Sequence, residues 1–397
     1  MLRSLVPFVA LAAAIGQVAA KACVVFDQNN NLLVLGPSTD YTFGTQDSWA
    51  AAASAKAVGA TTTRPPFDGD RPRCHLAQGN NAVLALGVDK ANPTAVWFYD
   101  AGANSWSMQA MASGDTPDPD SMVEVLDHDT DVLYAYSKQT MYFAHFDYQK
   151  AAKSEPIEWV NQGVSFPFDG SSYKATAVNI NNHIHFFGAP GSQAGQNYIY
   201  VVHFAFPQPD AQLFPSTNGK PTFPASHGWA TSIFDPNGKE QRQAAFIPDD
   251  LSATYIVDAK TNQTLPLAAP TKDSGSFFAA STSAVVQLTS DGKVFYLPVS
   301  QTDMAGTGAN AAAAWKQVGT VATGGSGTPA SGGSSSNSSA NTPAGSGSVS
   351  KPASTGTTTK STSSPSASPD SAAASFATVS WAATAFAAIA VAAVAAL

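Results

Sequence analysis

The sequence predicts an all-β, six-bladed β-propeller, with seven blades as the alternative count, followed by a disordered Ser/Thr-rich stalk. Three observations lead there. A hydrophobic strand pattern closing on a turn residue recurs at positions 36, 87, 137, 188, 248 and 298, in steps of 51, 50, 51, 60 and 50; a β-type period near fifty residues marks propeller blades. The units that read most clearly hold four short strands separated by Asn- and Gly-rich turns. Trp49, Trp106, Trp159 and Trp315 are spaced by 57, 53 and 156 residues, one, one and three repeats, with Phe214 and Leu265 where two further Trp would fall.

Unit two shows the pattern best. Cys74 to Gln78 reads as an inner strand, Gly79-Asn80-Asn81 as a hairpin turn, and Ala82 to Leu86 as the return strand. Ala95 to Asp100 follows as a third strand and Trp106 opens a fourth. Asn and Gly tolerate the positive φ such turns demand. Unit four repeats this with Ala175 to Ile180, Asn181-Asn182, His183 to Gly188 and Tyr198 to Phe204. Asn29-Asn30-Asn31 and Ser290-Asp291-Gly292 are expected at the same turn in units one and six. The large apolar residue of each unit is expected to wedge between blades, each burial contributing roughly 2–3 kcal/mol.

Cys23 lies thirteen residues before Gly36 and Cys74 thirteen before Gly87, the same register in neighbouring units. Inner strands crowd the axis, so these thiols are expected to pair, provided their Cβ atoms come within about 4.5 Å. Two free buried thiols are the alternative.

Both ends carry address signals. Residues 1–20 read as a secretory signal, with Arg3, an apolar run from Leu5 to Ile15, and small residues Val18-Ala19-Ala20 before Lys21; an uncleaved anchor is the alternative. Residues 21–320 form the folded head. The stalk covers 321–371, and 24 of the residues 321–370 are Ser or Thr, too polar to offset the entropy of ordering. Extended, it would reach about 150 Å. Residues 372–397 end in an apolar, Ala-rich run with no charge after Asp370. This reads as a GPI-attachment signal, with Ser371 the expected site and Asp370 next; a retained tail helix is the alternative. Asn262 and Asn337 are N-glycosylation acceptors by pattern. Charged residues make up 12% of the chain and the net charge is −8, with no basic cluster, which argues against nucleic acid.

The single Gly closing the return strand, Tyr99-Asp100 followed by Trp106, and Tyr255-Ile256-Val257-Asp258 resemble kelch-type, galactose-oxidase-like β-propellers over residues 23 to about 320. Kelch repeats close that strand on a glycine pair, whereas Gly36, Gly87 and Gly188 stand single. The whole layout resembles fungal GPI-anchored cell-surface proteins. Galactose oxidases need copper held by Tyr and His with a Tyr–Cys crosslink. Here both Cys are expected in one disulfide, and His183 and His185 share a strand face with no third ligand near. Asp127-His128-Asp129-Thr130-Asp131 starts like a calcium loop, but Val132 and Lys138 stand where Gly and Glu belong. Ser290-Asp291-Gly292 resembles part of a sialidase Asp-box, and a plain turn explains it. No catalytic residue, metal or cofactor is assigned.

One loop repeats: Pro66-Phe67-Asp68-Gly69 and Pro167-Phe168-Asp169-Gly170, 101 residues apart, each joining two blades. An exposed Phe67 or Phe168 beside Asp68 or Asp169 would stack on and hydrogen-bond a sugar or peptide; a turn with its Phe tucked into the core is the alternative, and the favoured one. The expected function is non-enzymatic binding of a cell-wall glycan or surface protein through one propeller face, with membrane attachment through the lipid anchor. The alternative is a secreted carbohydrate-active enzyme with two carboxylates about 5–9 Å apart over the axis.

Overall fold

The computed structural model describes residues 21–322 except 37, 52–54, 61 and 238–240. The signal segment, the stalk beyond 322, Asn337, Asp370, Ser371 and the apolar end lie outside the described residues. Within them the chain forms six antiparallel sheets, each from consecutive strands. Blade 1 holds β1 (Cys23–Phe26), β2 (Leu32–Leu35), β3 (Asp40–Gly44) and β4 (Lys56–Val58). Blade 2 holds β5 (Arg73–Ala77), β6 (Ala82–Leu86), β7 (Val96–Asp100) and β8 (Ser105–Gln109). Blade 3 holds β9 (Val123–Asp127), β10 (Val132–Ser137), β11 (Thr140–His145) and β12 (Val160–Asn161). Blade 4 holds β13 (Thr176–Ile180), β14 (His183–Phe187), β15 (Gln196–Val201), β16 (Phe206–Pro207) and β17 (Gln212–Leu213). Blade 5 holds β18 (Gly228–Ile233), β19 (Gln243–Pro248), β20 (Thr254–Asp258) and β21 (Gln263–Leu267). Blade 6 holds β22 (Phe277–Ala280), β23 (Ala284–Leu288), β24 (Lys293–Pro298) and β25 (Lys316–Thr320).

The first strand of each blade is innermost, and β1, β5, β9, β13, β18 and β22 neighbour one another in a closed ring. The count is therefore six and not seven. The long step after unit four has a local cause: the chain leaves β15, adds β16 and β17 to the same strand, and inserts Phe214 and Phe223 before β18. Unit six departs from the expected phase. Val294 to Pro298 belongs to the third strand, not the return strand, and Ser290-Asp291-Gly292 turns between β23 and β24. The inner turn of that blade, Ser281-Thr282-Ser283, has neither Gly nor Asn, so the Asp-Gly turn nearby took its place in the pattern. In unit four, Val202–Phe204 is a 3-10 turn that ends the expected third strand early.

Burial is organised between blades. Six apolar clusters occur, and each draws on two adjacent sheets. The expected wedges sit in them. Trp49, Phe214 and Leu265 are buried to 1% exposure or less and Trp106 to 3%. Trp159 and Trp315 are half-buried at their clusters' edges. Trp49 stands on a 3-10 turn, Gln46–Ala51, rather than on a fourth strand. A sheet too narrow to fold alone is stable here because both its faces are covered by neighbours.

The disulfide forms as the register implies: Cys23 and Cys74 are bonded, with Cα atoms 5.8 Å apart, joining β1 to β5. Among the described residues no strand is exchanged to close the ring, since β1 opens blade 1 and β25 completes blade 6.

Candidate functional site: the axial channel and its mouth

The six inner strands surround a cavity of about 330 Å³ to which every blade contributes. Beside it, on the face carrying the inter-blade joins, lies an outer mouth of about 440 Å³ bounded by the starts of β5, β18 and β22 and by the β19–β20 loop. Arg71, Arg73, His227, Gly228, Trp229 and Phe278 line both spaces, so the two adjoin. At the far end Phe234, just past β18, reaches across to the cluster between blades 1 and 2. Its carbonyl accepts a hydrogen bond from Gln301 Nε2 at 2.7 Å. Phe234 thus contributes an aromatic ring to the lining at that end.

Its walls differ. On the side of blades 2, 3 and 4 it is lined by Arg73, His75, Glu124, His128 and Asn179. The Arg73 guanidinium is paired with the Glu124 carboxylate, whose side chain is fully buried. The register explains the pairing: alternate residues of an inner strand face the same neighbour, so Arg73 and His75 share a side of β5, while Glu124 stands on β9 and His128 in the turn after it. Burial, then the nearby Arg73 charge, push His75 down to about 4, so it is neutral at physiological pH. Its Nε2 has no hydrogen-bond partner among the described residues. Asn179 is 1% exposed, and neither its Oδ1 nor its Nδ2 finds a partner among the described residues. The opposite side, from blades 5, 6 and 1, is mixed, with Trp229, Ala230, Phe234, Phe278, Ala279 and Val25 beside Thr231, Ser232 and Gln241.

The mouth carries several hydrogen-bonded polar groups among apolar ones. His227 Nδ1 lies 2.8 Å from an oxygen of Asp249. Asp273 accepts the backbone N–H groups of Gly275, at 3.0 Å, and Ser290. Asp70 is paired at 3.0 Å with Lys21, which holds its carboxyl below the usual range. Arg71 donates to the Asp120 carbonyl, and burial followed by the Arg73 charge lowers its pKa. Trp229 is half-buried, with Phe277 set edge-on at 5.7 Å. Among the residues lining the channel itself, Glu124 is the one carboxylate, and it is already paired.

The repeated Pro-Phe-Asp-Gly loop sits on the same face but is built differently from the binding loop expected. Phe67 is 1% exposed and meets Trp106 edge-on at 5.8 Å. Phe168 is 9% exposed, inside an aromatic cluster with Tyr136, Phe166, Tyr173, Phe186 and Tyr198. Neither ring offers a free face for stacking. Asp68 and Asp169 are exposed, and each caps a backbone N–H, of Lys90 at 2.8 Å and Ser171 at 2.9 Å. The terminal Gly is steric: a Cβ on Gly69 would stand 1.9 Å from the Gly87 carbonyl oxygen, and one on Gly170 2.0 Å from the Tyr136 hydroxyl. The motif therefore seats each join against its blade. The single Gly of the return strand has a matching cause. Gly87 and Gly188 have φ of 63° and 62°, and a Cβ on either would meet the backbone oxygen of an incoming join at 2.4 Å.

The remaining candidates fall into place. His185 is buried, its Nδ1 3.1 Å from Asn197 Oδ1, and burial pushes it down to about 3. His183 Nδ1 lies 2.6 Å from the Asn181 carbonyl oxygen. The 127–131 segment is the β9–β10 turn, where Asp127 accepts the Thr130 hydroxyl at 2.6 Å and Asp131 the Tyr148 N–H at 2.7 Å. Among the described residues no group of three or more His, Cys, Asp or Glu is placed to hold a metal ion. Asn262 is exposed in the β20–β21 turn, its Oδ1 accepting from Gln212 at 2.6 Å. Sequence reasoning missed Arg73, Glu124 and Asn179. The signal available was an ionisable or amide residue inside an otherwise apolar inner strand. No protein-family model matches the chain, and a sequence comparison with curated proteins finds no match.

Proposed function

We propose that this protein is a GPI-anchored, non-enzymatic recognition propeller on the outer cell surface, which binds a cell-wall glycan or a surface protein through its join face. The observation that carries the reading is the mouth. It combines an accessible Trp229, a guanidinium and fixed carboxylates around a concave opening, the chemistry with which proteins grip sugars and polar peptides. The secretory start, the Ser/Thr-rich stalk and the apolar end support display at a distance from the membrane. The kelch-like features and the fungal layout support the same placement. The enzymatic alternative asks for two carboxylates facing each other over the channel; Glu124 is tied to Arg73, and the rim carboxylates Asp70, Asp249 and Asp273 each have partners.

The test uses the full chain. Expressed in a secretory host, it should be released from cells by a phosphatidylinositol-specific phospholipase. Purified in detergent, it should bind immobilised cell-wall polysaccharides or surface proteins, and Asp249→Lys should weaken that binding at least tenfold. Retention on cells after the phospholipase sinks the anchor, and silence across both arrays sinks recognition.

A further inference from the structure

We propose that Asn262 carries an N-linked glycan, and that this glycan is attached only before the outer strand of blade 5 pairs. The inference goes beyond ligand recognition and rests on one part of the reading above, passage of the chain through the secretory pathway. Asn262-Gln263-Thr264 is an Asn-X-Thr acceptor sequence. A glycan needs room at the asparagine, and the fold provides it. Asn262 is exposed in the turn between β20 and β21, after exposed Lys260 and Thr261. Its φ of 50° lies in the left-handed region, which Asn tolerates better than most residues. The side chain is already oriented, because Oδ1 accepts from Gln212 Nε2 of blade 4 at 2.6 Å. That leaves Nδ2, the atom that bears the sugar, with no acceptor among the described residues.

The third residue of the motif sets the timing. A transferase that reads Asn-X-Thr must reach the threonine hydroxyl as well as the amide. Thr264 is 0% exposed. Its Oγ1 donates to the Phe214 carbonyl at 2.9 Å, its backbone N–H donates to the Pro215 carbonyl at 2.9 Å, and its carbonyl accepts the Thr217 N–H at 2.9 Å. On its other side it pairs with Val257 of β20, and the next residue, Leu265, is wedged into the cluster between blades 5 and 6. Folding thus buries one end of the acceptor sequence and leaves the other in solvent, and a folded chain is no substrate. Phe214 to Thr217 leave the ribosome before Thr264 does, so the window is the interval before β21 docks against them. The donor class is a lipid-linked oligosaccharyl diphosphate. The bond from Asn262 Nδ2 to C1 of the first sugar forms and the C1–O bond to the diphosphate breaks. The amide gives up one proton, and the lipid diphosphate leaves with the bonding pair.

The experiment expresses the full chain in a eukaryotic secretory host and maps its N-terminus and glycopeptides by mass spectrometry. The signal should be removed before Lys21, and the peptide holding Asn262 should carry a glycan that a peptide N-glycosidase releases, converting the Asn to Asp. Asn262→Asp, which keeps an oxygen for Gln212, should lose that glycan. A cleaved signal with a bare Asn262 overturns the site and leaves the secretory reading standing; an uncleaved signal with a bare Asn262 sinks both. For the timing, chain made while donor synthesis is blocked is purified in detergent and offered to membranes that hold the transferase and its lipid donor. The parent should be modified at Asn262 at least tenfold less than Leu265→Asp, in which a charge replaces the wedge and frees β21. Modification of the parent to the level of that variant, or of neither chain, overturns the timing.

Discussion

The seam between blades 1 and 2 and the seam between blades 6 and 1 do the same job with different means. The first is crossed by the chain, by the Cys23–Cys74 bond and by a buried polar latch. Arg64, from the join, grips Asp40 with two hydrogen bonds of 2.9 and 2.6 Å, and Trp106 Nε1 donates to the same carboxylate at 2.9 Å. The second is where the ring closes, and no strand is shared across it. It rests on an apolar cluster in which Trp49 lies 6.2 Å from Phe26 and 5.1 Å, edge-on, from Tyr296, with a rim hydrogen bond of 2.6 Å from the Ser283 hydroxyl to Gln46. A ring opens where least is lost, so the difference places the first opening event at the 6–1 seam.

Removing the wedge tests this most severely. Trp49→Ala should cost up to about 5 kcal/mol, the upper range for emptying a large aromatic site. Hydrogen exchange should accelerate first in Cys23–Phe26 and Phe277–Ala280, the strands facing each other there. Uniform acceleration across all blades would show that the ring opens as one unit. Next in size is the disulfide. A bond closing a sequence separation of 51 is worth about 4 kcal/mol in the chain-entropy model, so the Cys23→Ser, Cys74→Ser double variant should fall by that amount in urea denaturation. A loss below about 1 kcal/mol would mean the polar latch holds that seam by itself.

The two seams also differ in how readable they were. The disulfide and the wedges follow from periodicity, because positions at equal phase in adjacent blades become neighbours by construction. Trp106, Phe214 and Leu265 were legible for that reason. The phase of unit six was not, because its inner turn lacks Gly and Asn while a stronger turn lies just downstream. The latch was invisible: Asp40 and Arg64 are 24 residues apart, in different elements, and no spacing rule pairs them. The loop motif at Phe67 and Phe168 was legible as a repeat but not in its role, since the steric demand of Gly69 and Gly170 comes from backbone and side chains of other turns. The channel polarity was half legible. Each residue was visible in its strand, but that Arg73 meets Glu124 depends on which faces adjoin once the wheel closes.

A smaller effect separates the latch from the covalent bond beside it. Asp40 is 1% exposed, and Arg64 keeps 17% of its side chain in contact with solvent. Asp40→Ala removes the carboxylate from a half-buried guanidinium that keeps the Gly36 carbonyl, and takes the acceptor from an indole N–H; it should cost about 2–3 kcal/mol, below the roughly 3–5 kcal/mol of a fully buried pair. Arg64→Met in that background should recover part of the loss. If Asp40→Ala is as damaging in the cysteine-free protein as with the bond in place, the two devices act independently; a larger loss there shows that they share one seam.

The smallest change works from outside both seams and has the opposite sign. Asp131 lies in the β9–β10 turn, and burial, reinforced by Asp147, pushes its carboxyl up to about 6 from the usual 3.8. A group whose folded pKa is raised holds its proton more tightly in the native state. Its contribution is therefore full below about pH 4 and is lost as pH rises through about 6. Asp131→Asn removes the charge, keeps an oxygen for the Tyr148 N–H, and suits the φ of 55° at this position. It should stabilise the protein by about 1–2 kcal/mol at pH 8 and leave it unchanged at pH 3. Because blade 3 touches neither seam, the gain should appear in global unfolding while exchange at Cys23–Phe26 and Phe277–Ala280 stays as it was. If exchange there slows by the same factor, opening at the 6–1 seam is global unfolding, and the contrast between the two seams is one of construction without a difference in local stability.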